Sequence, residues 1–68
     1  MAQGTIKWFN IDKGFGFVQP DGGGEDLFIH ITNVLPGNER RLDDGTPVTF
    51  EVRPGRKGME AYDLGVAE

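Results

Sequence analysis

The sequence that decides the fold is KGFGFV at residues 13–18, which is followed, after the loop 19–26, by LFIHI at residues 27–31. Both stretches alternate between two kinds of side chain, as strands do, because successive side chains of an extended chain point to opposite faces. The aliphatic members of the second stretch, which share one face, are Leu27, Ile29 and Ile31. We expect that face to be the core and the face that carries Phe28 and His30 to be open.

The intervening loop, QPDGGGED, is rich in turn-forming residues, so the two stretches are predicted to form an antiparallel hairpin. The register that we predict pairs Phe15 with His30, Gly16 with Ile29, Phe17 with Phe28 and Val18 with Leu27. Phe15 and Phe17 then lie on the open face. The alternative is that both rings are buried and the glycines face outward. It conflicts with the second strand, because one pleated face cannot be both aliphatic core and aromatic surface.

Composition limits the class of protein. With 68 residues and no cysteine, the chain is expected to form one domain, residues 1–68, without a disulfide framework or a thiolate metal site. Its 37% hydrophobic residues come in short runs divided by Gly and Pro, which predicts an all-β fold. No apolar run approaches the roughly 20 residues of a membrane helix. The first four residues lack the features of a signal peptide, so we expect a soluble, cytoplasmic protein.

Residues 4–10, GTIKWFN, are predicted to form the first strand. Trp8 and Phe9 are adjacent rings that cannot share one face of a regular strand, so we expect a bulge there. We place Ile6 in the core, Trp8 beside Phe17 on the open face, and Phe9 in a half-buried position. The alternative for Trp8, the only tryptophan, is that it anchors the core.

The second half of the chain begins less regularly. Residues 32–35 are predicted to make one 3₁₀ turn with Thr32 as its cap. Residues 36–41 form a polar loop, Leu42 anchors its far end in the core, and residues 43–45 form a turn.

A fourth strand is predicted at residues 46–53. Its expected core side chains are Val48, Phe50 and Val52. After a turn at residues 54–58 the last strand covers about residues 59–66, and its apolar residues are too irregularly spaced to fix its register. Five short strands predict a small closed barrel, which leaves no exposed sheet edge.

Exposed rings on a sheet indicate a binding site. Flat rings along two strands suit unstacked nucleobases, because each base–aromatic stack contributes about 1–3 kcal/mol whatever the base. Lys7, Lys13 and Lys57, with Arg56, are expected to contact phosphates. A double helix hides the faces of its bases, so the expected partners are single-stranded RNA and single-stranded DNA.

Three motifs, KWFN at 7–10, KGFGFV at 13–18 and LFIH at 27–30, resemble the bacterial cold-shock proteins in order and spacing. The resemblance covers essentially the whole chain. It implies a five-stranded antiparallel OB-fold β-barrel that binds single-stranded RNA and DNA. It also implies an RNA chaperone that keeps transcripts unstructured and influences transcription antitermination and translation.

By position, the stacking residues that the resemblance implies are Trp8, Phe15, Phe17, Phe28 and His30. The neighbouring contacts that it implies are Lys7, Phe9, Asn10, Lys13 and Asp26, and Lys57 matches a basic loop position.

The chain departs from the family pattern at three places. Ile31 stands where many relatives have an aromatic residue, so we expect an apolar contact there. Glu39 stands where a Phe is usual, and Met59 and Glu60 replace a common Pro-Gln pair. Each lost stacking ring is expected to weaken binding by about 1–3 kcal/mol.

Charge and chemistry leave one competing function. Eleven acidic against seven basic residues give a net charge of −4, so binding should depend more on stacking than on phosphate contacts. The alternative is a protein–protein interaction module that uses the same aromatic barrel face.

An enzyme is not expected, because the single histidine, His30, has no nucleophile or carboxylate pair at a telling spacing. We predict no cofactor, no metal, no small-molecule substrate and no membrane contact. We expect a monomer, with a strand-exchanged dimer as the alternative.

Overall fold

The structure, a computed structural model, describes residues 2–56 and 58–67. Its five strands are β1 (Ala2–Asn10), β2 (Phe15–Pro20), β3 (Leu27–His30), β4 (Pro47–Gly55) and β5 (Gly58–Val66). They close into a barrel in the order β1-β2-β3-β5-β4, which confirms the predicted all-β barrel. Two short 3₁₀ helices, Ile31–Asn33 and Glu39–Arg41, lie between β3 and β4, the second inside the predicted polar loop. Among the described residues, no helix has the length and apolar character that a membrane crossing requires.

The β2–β3 hairpin has the predicted register. Its pairs are Phe15 with His30, Gly16 with Ile29, Phe17 with Phe28 and Val18 with Leu27. Val18 and Ile29 are completely buried, whereas the rings on the alternate positions stay partly exposed. The aliphatic face therefore packs inside the barrel and the aromatic face points outward.

The core is one cluster of aliphatic side chains around a single ring. Its buried members are Ile6, Val18, Leu27, Ile29, Val34, Leu42, Val48, Phe50, Ala61 and Leu64. Phe50 is the largest of them and is 1% exposed, as its place between Val48 and Val52 predicted. Leu42 is buried as well, so the predicted anchor of the long loop is confirmed.

A bulge in β1 turns Trp8 outward. Ile6 pairs with Val18 and Trp8 pairs with Phe17, so Lys7 is an extra residue without a partner position on β2. In a regular strand Ile6 and Trp8 would share a face. The bulge instead lets Ile6 enter the core while Trp8 lies beside Phe17, as predicted, and Phe9 is half-buried.

A second bulge explains the irregular pattern of β5. Thr49 pairs with Gly65 and Glu51 with Tyr62, so β5 has one residue more than β4 between these pairs. Asp63 has a φ of 49°, in the left-handed region that is common at turns and bulges. Two core side chains of β5, at positions 61 and 64, are consequently three residues apart instead of two.

Three predictions in this part of the fold are wrong. Val52 is 40% exposed instead of buried, because its side chain lines an open groove, although its partner on β5, Ala61, is buried. Ile31 does not continue the core face of β3, because β3 ends at His30 and Ile31 begins a 3₁₀ helix. The side chain that caps this helix is that of His30, not Thr32.

The barrel is also not wholly antiparallel. Four of its five strand contacts are antiparallel, but β3 and β5 are parallel and pair only between Phe28 and Glu60. Because β3 is short, it closes the barrel against β5 through this single pair. The seam between β3 and β5 therefore lies directly beside the exposed rings.

Candidate nucleic-acid interface

Five rings form one continuous surface across β1, β2 and β3, which we call the aromatic face. Its members are Trp8, Phe15, Phe17, Phe28 and His30. Neighbouring ring centroids are 5.3–6.5 Å apart, within or near the range of favourable aromatic pairs. Trp8 is 37% exposed, whereas the core ring of Phe50 is 1% exposed. All five predicted stacking residues are therefore brought together on the surface.

The rings of the aromatic face support one another. Trp8 meets Phe15 edge to face at 71° and Phe17 at 59°. Phe15 and Phe28 lie nearly parallel, at 25°, with their centroids 5.9 Å apart. This mutual packing fixes the rings, so little side-chain entropy remains to be lost when a ligand stacks on them.

Close approach of β1 and β2 under the face requires glycine at position 16. A Cβ on Gly16 would lie against the carbonyl oxygen of Trp8 and 2.7 Å from the Cα of Phe9. Both contacts are with backbone, which cannot rotate away. Gly16 therefore permits the strand contact that sets Trp8 beside Phe17.

The edge of the face near β1 carries an ion pair. The Lys7 Nζ donates to Asp26 Oδ2 at 2.7 Å, with both side chains partly exposed. These two residues were predicted as separate contacts of a ligand. In the structure they bond to each other, so part of the positive charge of Lys7 is offset.

The turn between β1 and β2 holds two more predicted contact residues. Asn10 Oδ1 accepts a hydrogen bond from the backbone N–H of Lys13 at 3.0 Å, and the Asn10 carbonyl accepts from Gly14 at 2.8 Å. Asn10 thus shapes the turn that presents the exposed side chain of Lys13. Lys57, the third predicted cation, lies outside the described residues.

His30 joins the face to the chain that follows it. Its Nδ1 accepts from the backbone N–H of Thr32 at 3.3 Å and lies 2.9 Å from the Thr32 hydroxyl. A backbone N–H can only donate, so its contact with His30 requires Nδ1 to act as an acceptor, whereas the Thr32 hydroxyl can either donate to Nδ1 or accept from it.

Two predicted contacts lie away from the five rings. Phe9 lines a separate groove with Ile11, Leu42 and the charged Glu39. Ile31 is half-buried and lies against Gly14, where an added Cβ would be 3.1 Å from Ile31 Cγ2. The structure does not bring Phe9 or Ile31 into the aromatic face.

Two grooves border the aromatic face, and parts of both were missed in the sequence. The larger, about 650 Å³, contains Val52 and Met59 beside Phe17 and Phe28. The smaller, about 560 Å³, which we call the hairpin groove, is lined by Phe28, His30, Pro54, Gly55, Arg56, Gly58 and Glu60. The β4–β5 hairpin pairs Gly55 with Gly58, and this register sets Arg53 opposite Glu60. A turn predicted at residues 56–57 instead of 54–58 would have placed Arg53 opposite Glu60 from the sequence alone.

No metal centre is evident in the part of the chain that the structure describes. Among residues 2–56 and 58–67, no group of three or more His, Asp or Glu side chains is placed to hold a metal ion.

The family model of the 'Cold-shock' DNA-binding domain matches residues 2–66. Cold shock protein ScoF of Streptomyces coelicolor is 48% identical, over 94% of this chain and 96% of that protein. Cold shock-like protein CspA of Shewanella violacea is 52% identical, over 90% of this chain and 87% of that protein. Cold shock-like protein CspD of Escherichia coli is 49% identical, over 90% of this chain and 82% of that protein.

Proposed function

Because this chain belongs to the 'Cold-shock' DNA-binding domain family, whose members bind nucleic acid and are not enzymes, we propose that it binds single-stranded RNA and DNA on the aromatic face. The observation that carries the proposal is the exposure of five mutually packed rings on one side of the barrel. Each ring offers a flat π face to an unstacked base.

Stacking also explains why single strands are the proposed ligand. The faces of bases in a duplex are covered by their neighbours, so the rings could reach them only after unstacking. A single strand exposes these faces without that cost. Each base that stacks on an aromatic side chain contributes about 1–3 kcal/mol, so two or three stacks are enough for useful affinity.

Charge plays a smaller part in the proposed binding. The net charge of −4 opposes a polyanion, but Lys13 and Arg56 are exposed near the aromatic face and its hairpin groove. These side chains can contact the backbone phosphates that link stacked nucleotides. We expect Lys57 to act in the same way, and we expect one chain to bind as a monomer.

The test is a comparison of single- and double-stranded oligonucleotides of equal length, labelled with a fluorophore and followed by anisotropy. We expect at least tenfold tighter binding of the single strand. Phe28→Ala should weaken that binding by about tenfold, because one stacking ring is lost. Leu35→Ala is the control, because Leu35 is an exposed apolar residue outside the face. Equal affinity for both strand forms, or equal effects of both substitutions, would contradict the proposal.

Binding single strands in preference to duplexes gives the protein an activity on folded RNA. A ligand that binds only the open form shifts a hairpin toward that form. We propose that the protein acts in the cytoplasm as an RNA chaperone of this kind and so affects transcription antitermination and translation. Low temperature stabilises weak hairpins, and the names of the relatives refer to cold shock.

The chaperone proposal has its own measurement. A short RNA hairpin with a fluorophore and a quencher at its ends should open when the protein is added at low temperature. Phe15→Ala and Phe28→Ala should reduce this opening, measured at a temperature at which circular dichroism shows that each variant is folded. An open fraction that does not respond to the protein would contradict chaperone activity without contradicting single-strand binding.

A further inference from the structure

A carboxylate lies at the edge of the aromatic face, on the strand next to Phe28. Glu60 of β5 pairs with Phe28 of β3, and both side chains line the hairpin groove with His30. The side chain of Glu60 is 22% exposed. A base stacked on Phe28 would therefore have its edge near this carboxylate.

The carboxylate of Glu60 is held in place from behind. Its Oε1 accepts from Arg53 Nε at 2.9 Å. Arg53 is itself fixed, because its guanidinium lies 4.7 Å from the centroid of the Tyr62 ring and its Nη2 donates to Asn33 Oδ1 at 3.3 Å. The carboxylate is thus oriented before any ligand arrives.

Glycine at position 55 gives the carboxylate its place in the groove. A Cβ on Gly55 would lie 2.8 Å from Cδ and 2.9 Å from Oε2 of Glu60. Oε2 therefore lies flat against the strand, at the wall of the hairpin groove. Within residues 2–56 and 58–67, the one hydrogen bond donated to this carboxylate is that from Arg53 to Oε1, which leaves Oε2 to accept from a ligand.

We propose that Glu60 selects the base bound beside Phe28 and that it favours guanine over uracil and thymine. The proposal rests on the proposed binding of single strands to the aromatic face. An ionised carboxylate only accepts hydrogen bonds. Guanine presents two adjacent donors, N1–H and the N2 amino group, which match Oε2 and the second lone pair of Oε1, because Arg53 occupies only one of the two lone pairs of Oε1.

The other bases match this carboxylate less well. Uracil and thymine present one donor, N3–H, between two carbonyl oxygens that the carboxylate repels. Cytosine and adenine present an amino group beside a ring nitrogen that is an acceptor. The amino group can donate to one carboxylate oxygen, but the lone pair of the ring nitrogen is repelled by the other. A matched pair of hydrogen bonds discriminates between bases by roughly 5- to 150-fold in affinity in protein–nucleic acid complexes.

Glu60 could instead act only by repelling phosphates. That effect would weaken binding of every oligonucleotide by the same factor. Base selection changes the ratio between two oligonucleotides that carry equal numbers of phosphates. The ratio is therefore the quantity to measure.

The experiment is an anisotropy titration with labelled hexauridylate and with the six isomers that carry one guanine. For the wild-type protein we expect the best isomer to bind about tenfold more tightly than hexauridylate. Glu60→Gln should reduce this ratio to below about threefold, because glutamine keeps one oxygen for Arg53 but replaces the other with a donor. Asp63→Asn is the control, because it removes the same charge from an exposed position of β5 and because Asn tolerates its positive φ.

The outcomes are distinct. A ratio near one in the wild-type protein, or a ratio that Glu60→Gln leaves unchanged while all affinities rise together, would overturn base selection by Glu60. Loss of the ratio in Asp63→Asn as well would also overturn it, since charge alone would then be responsible. If the wild-type protein binds none of the seven oligonucleotides, the proposed function itself fails.

Discussion

The ammonium group of Lys7 lies 2.7 Å from the carboxylate of Asp26, across the edge of the aromatic face. Lys7 is the extra residue of the β1 bulge, and Asp26 directly precedes β3. The ion pair therefore joins the first strand to the loop before the third. It also means that one of the lysines nearest the rings has part of its charge offset before any phosphate arrives.

Asp26→Asn should free Lys7 to contact a phosphate. We expect tighter binding of a single strand at low salt and a plot of log K against log salt that is steeper by about 0.7, the contribution of one phosphate contact on a single strand. The free energy of unfolding should fall by no more than about 1 kcal/mol, because the pair is exposed. Asp21→Asn, in the same loop, is the control for net charge. An equal gain in both variants would show that the ion pair does not restrain Lys7.

The wild-type protein should show a shallow salt dependence. Three phosphate contacts, which we propose for Lys13, Arg56 and Lys57, correspond to a slope of about −2 at 0.7 per contact. Affinity should therefore persist at salt concentrations that abolish purely electrostatic binding. A slope steeper than about −5.6, equal to eight contacts, would contradict a binding mode dominated by stacking.

Gly16→Ala should destabilise the barrel by about 1–3 kcal/mol, because the new methyl group meets the backbone of Trp8 and Phe9. Urea unfolding followed by Trp8 fluorescence measures the change. Gly22→Ala is the matched control, since no atom lies within 4 Å of its added Cβ. Its free energy of unfolding should change by less than about 1 kcal/mol. Equal effects of the two substitutions would contradict the close approach of β1 and β2 at Gly16.

The central hairpin was predictable because one local pattern carried the information. Alternation of Leu27, Phe28, Ile29 and His30 fixed which face was buried, and a slip of one residue would have reversed every side chain. The same pattern predicted the outward rings. Exposure of Phe15 and Phe17, unusual for phenylalanine, followed from the partner strand and not from the residue type.

The errors lie where alternation is not the controlling factor. Val52 follows the alternation of β4, but its side chain lines an open groove, so its place in the pattern does not bury it. The β5 bulge at Asp63 depends on a left-handed backbone conformation that spacing alone does not reveal. Capping of the first 3₁₀ helix by His30 depends on side-chain geometry that the preferences of Ser, Thr, Asn and Asp for caps do not anticipate.

Glu39→Phe should tighten binding of longer single strands. Glu39 lines a groove with Phe9 and Ile11, so a ring there would add an apolar surface for one more base. One extra stack is worth about 1–3 kcal/mol, or roughly 5- to 150-fold in affinity. Glu39→Gln removes the same negative charge without adding a ring, so it should give a smaller gain in affinity. Affinities are measured by anisotropy with oligonucleotides of increasing length. A gain no larger than that of Glu39→Gln would show that this groove does not receive a base.

The neutral imidazole of His30 should carry its proton on Nε2, since Nδ1 accepts from the Thr32 N–H. Long-range ¹H–¹⁵N correlation spectra at a pH where the ring is neutral report the tautomer directly. Nε2–H would then be a donor toward solvent or a ligand. Thr32→Val, which keeps the backbone donor and removes only the hydroxyl, should leave the tautomer unchanged. An Nδ1–H ring in the wild-type protein would contradict the observed cap.

The most direct test of stacking is to remove the bases and keep the phosphates. Emission of Trp8 is recorded while the protein is titrated with a hexathymidylate and, separately, with an abasic hexamer that has the same backbone. Stacking on the aromatic face predicts quenching and saturable binding with the hexathymidylate, and an affinity for the abasic strand that is at least a hundredfold lower, because every stacked base contributes about 1–3 kcal/mol. Equal affinity for both strands would show that phosphates alone are bound, and would contradict the central role of the exposed rings.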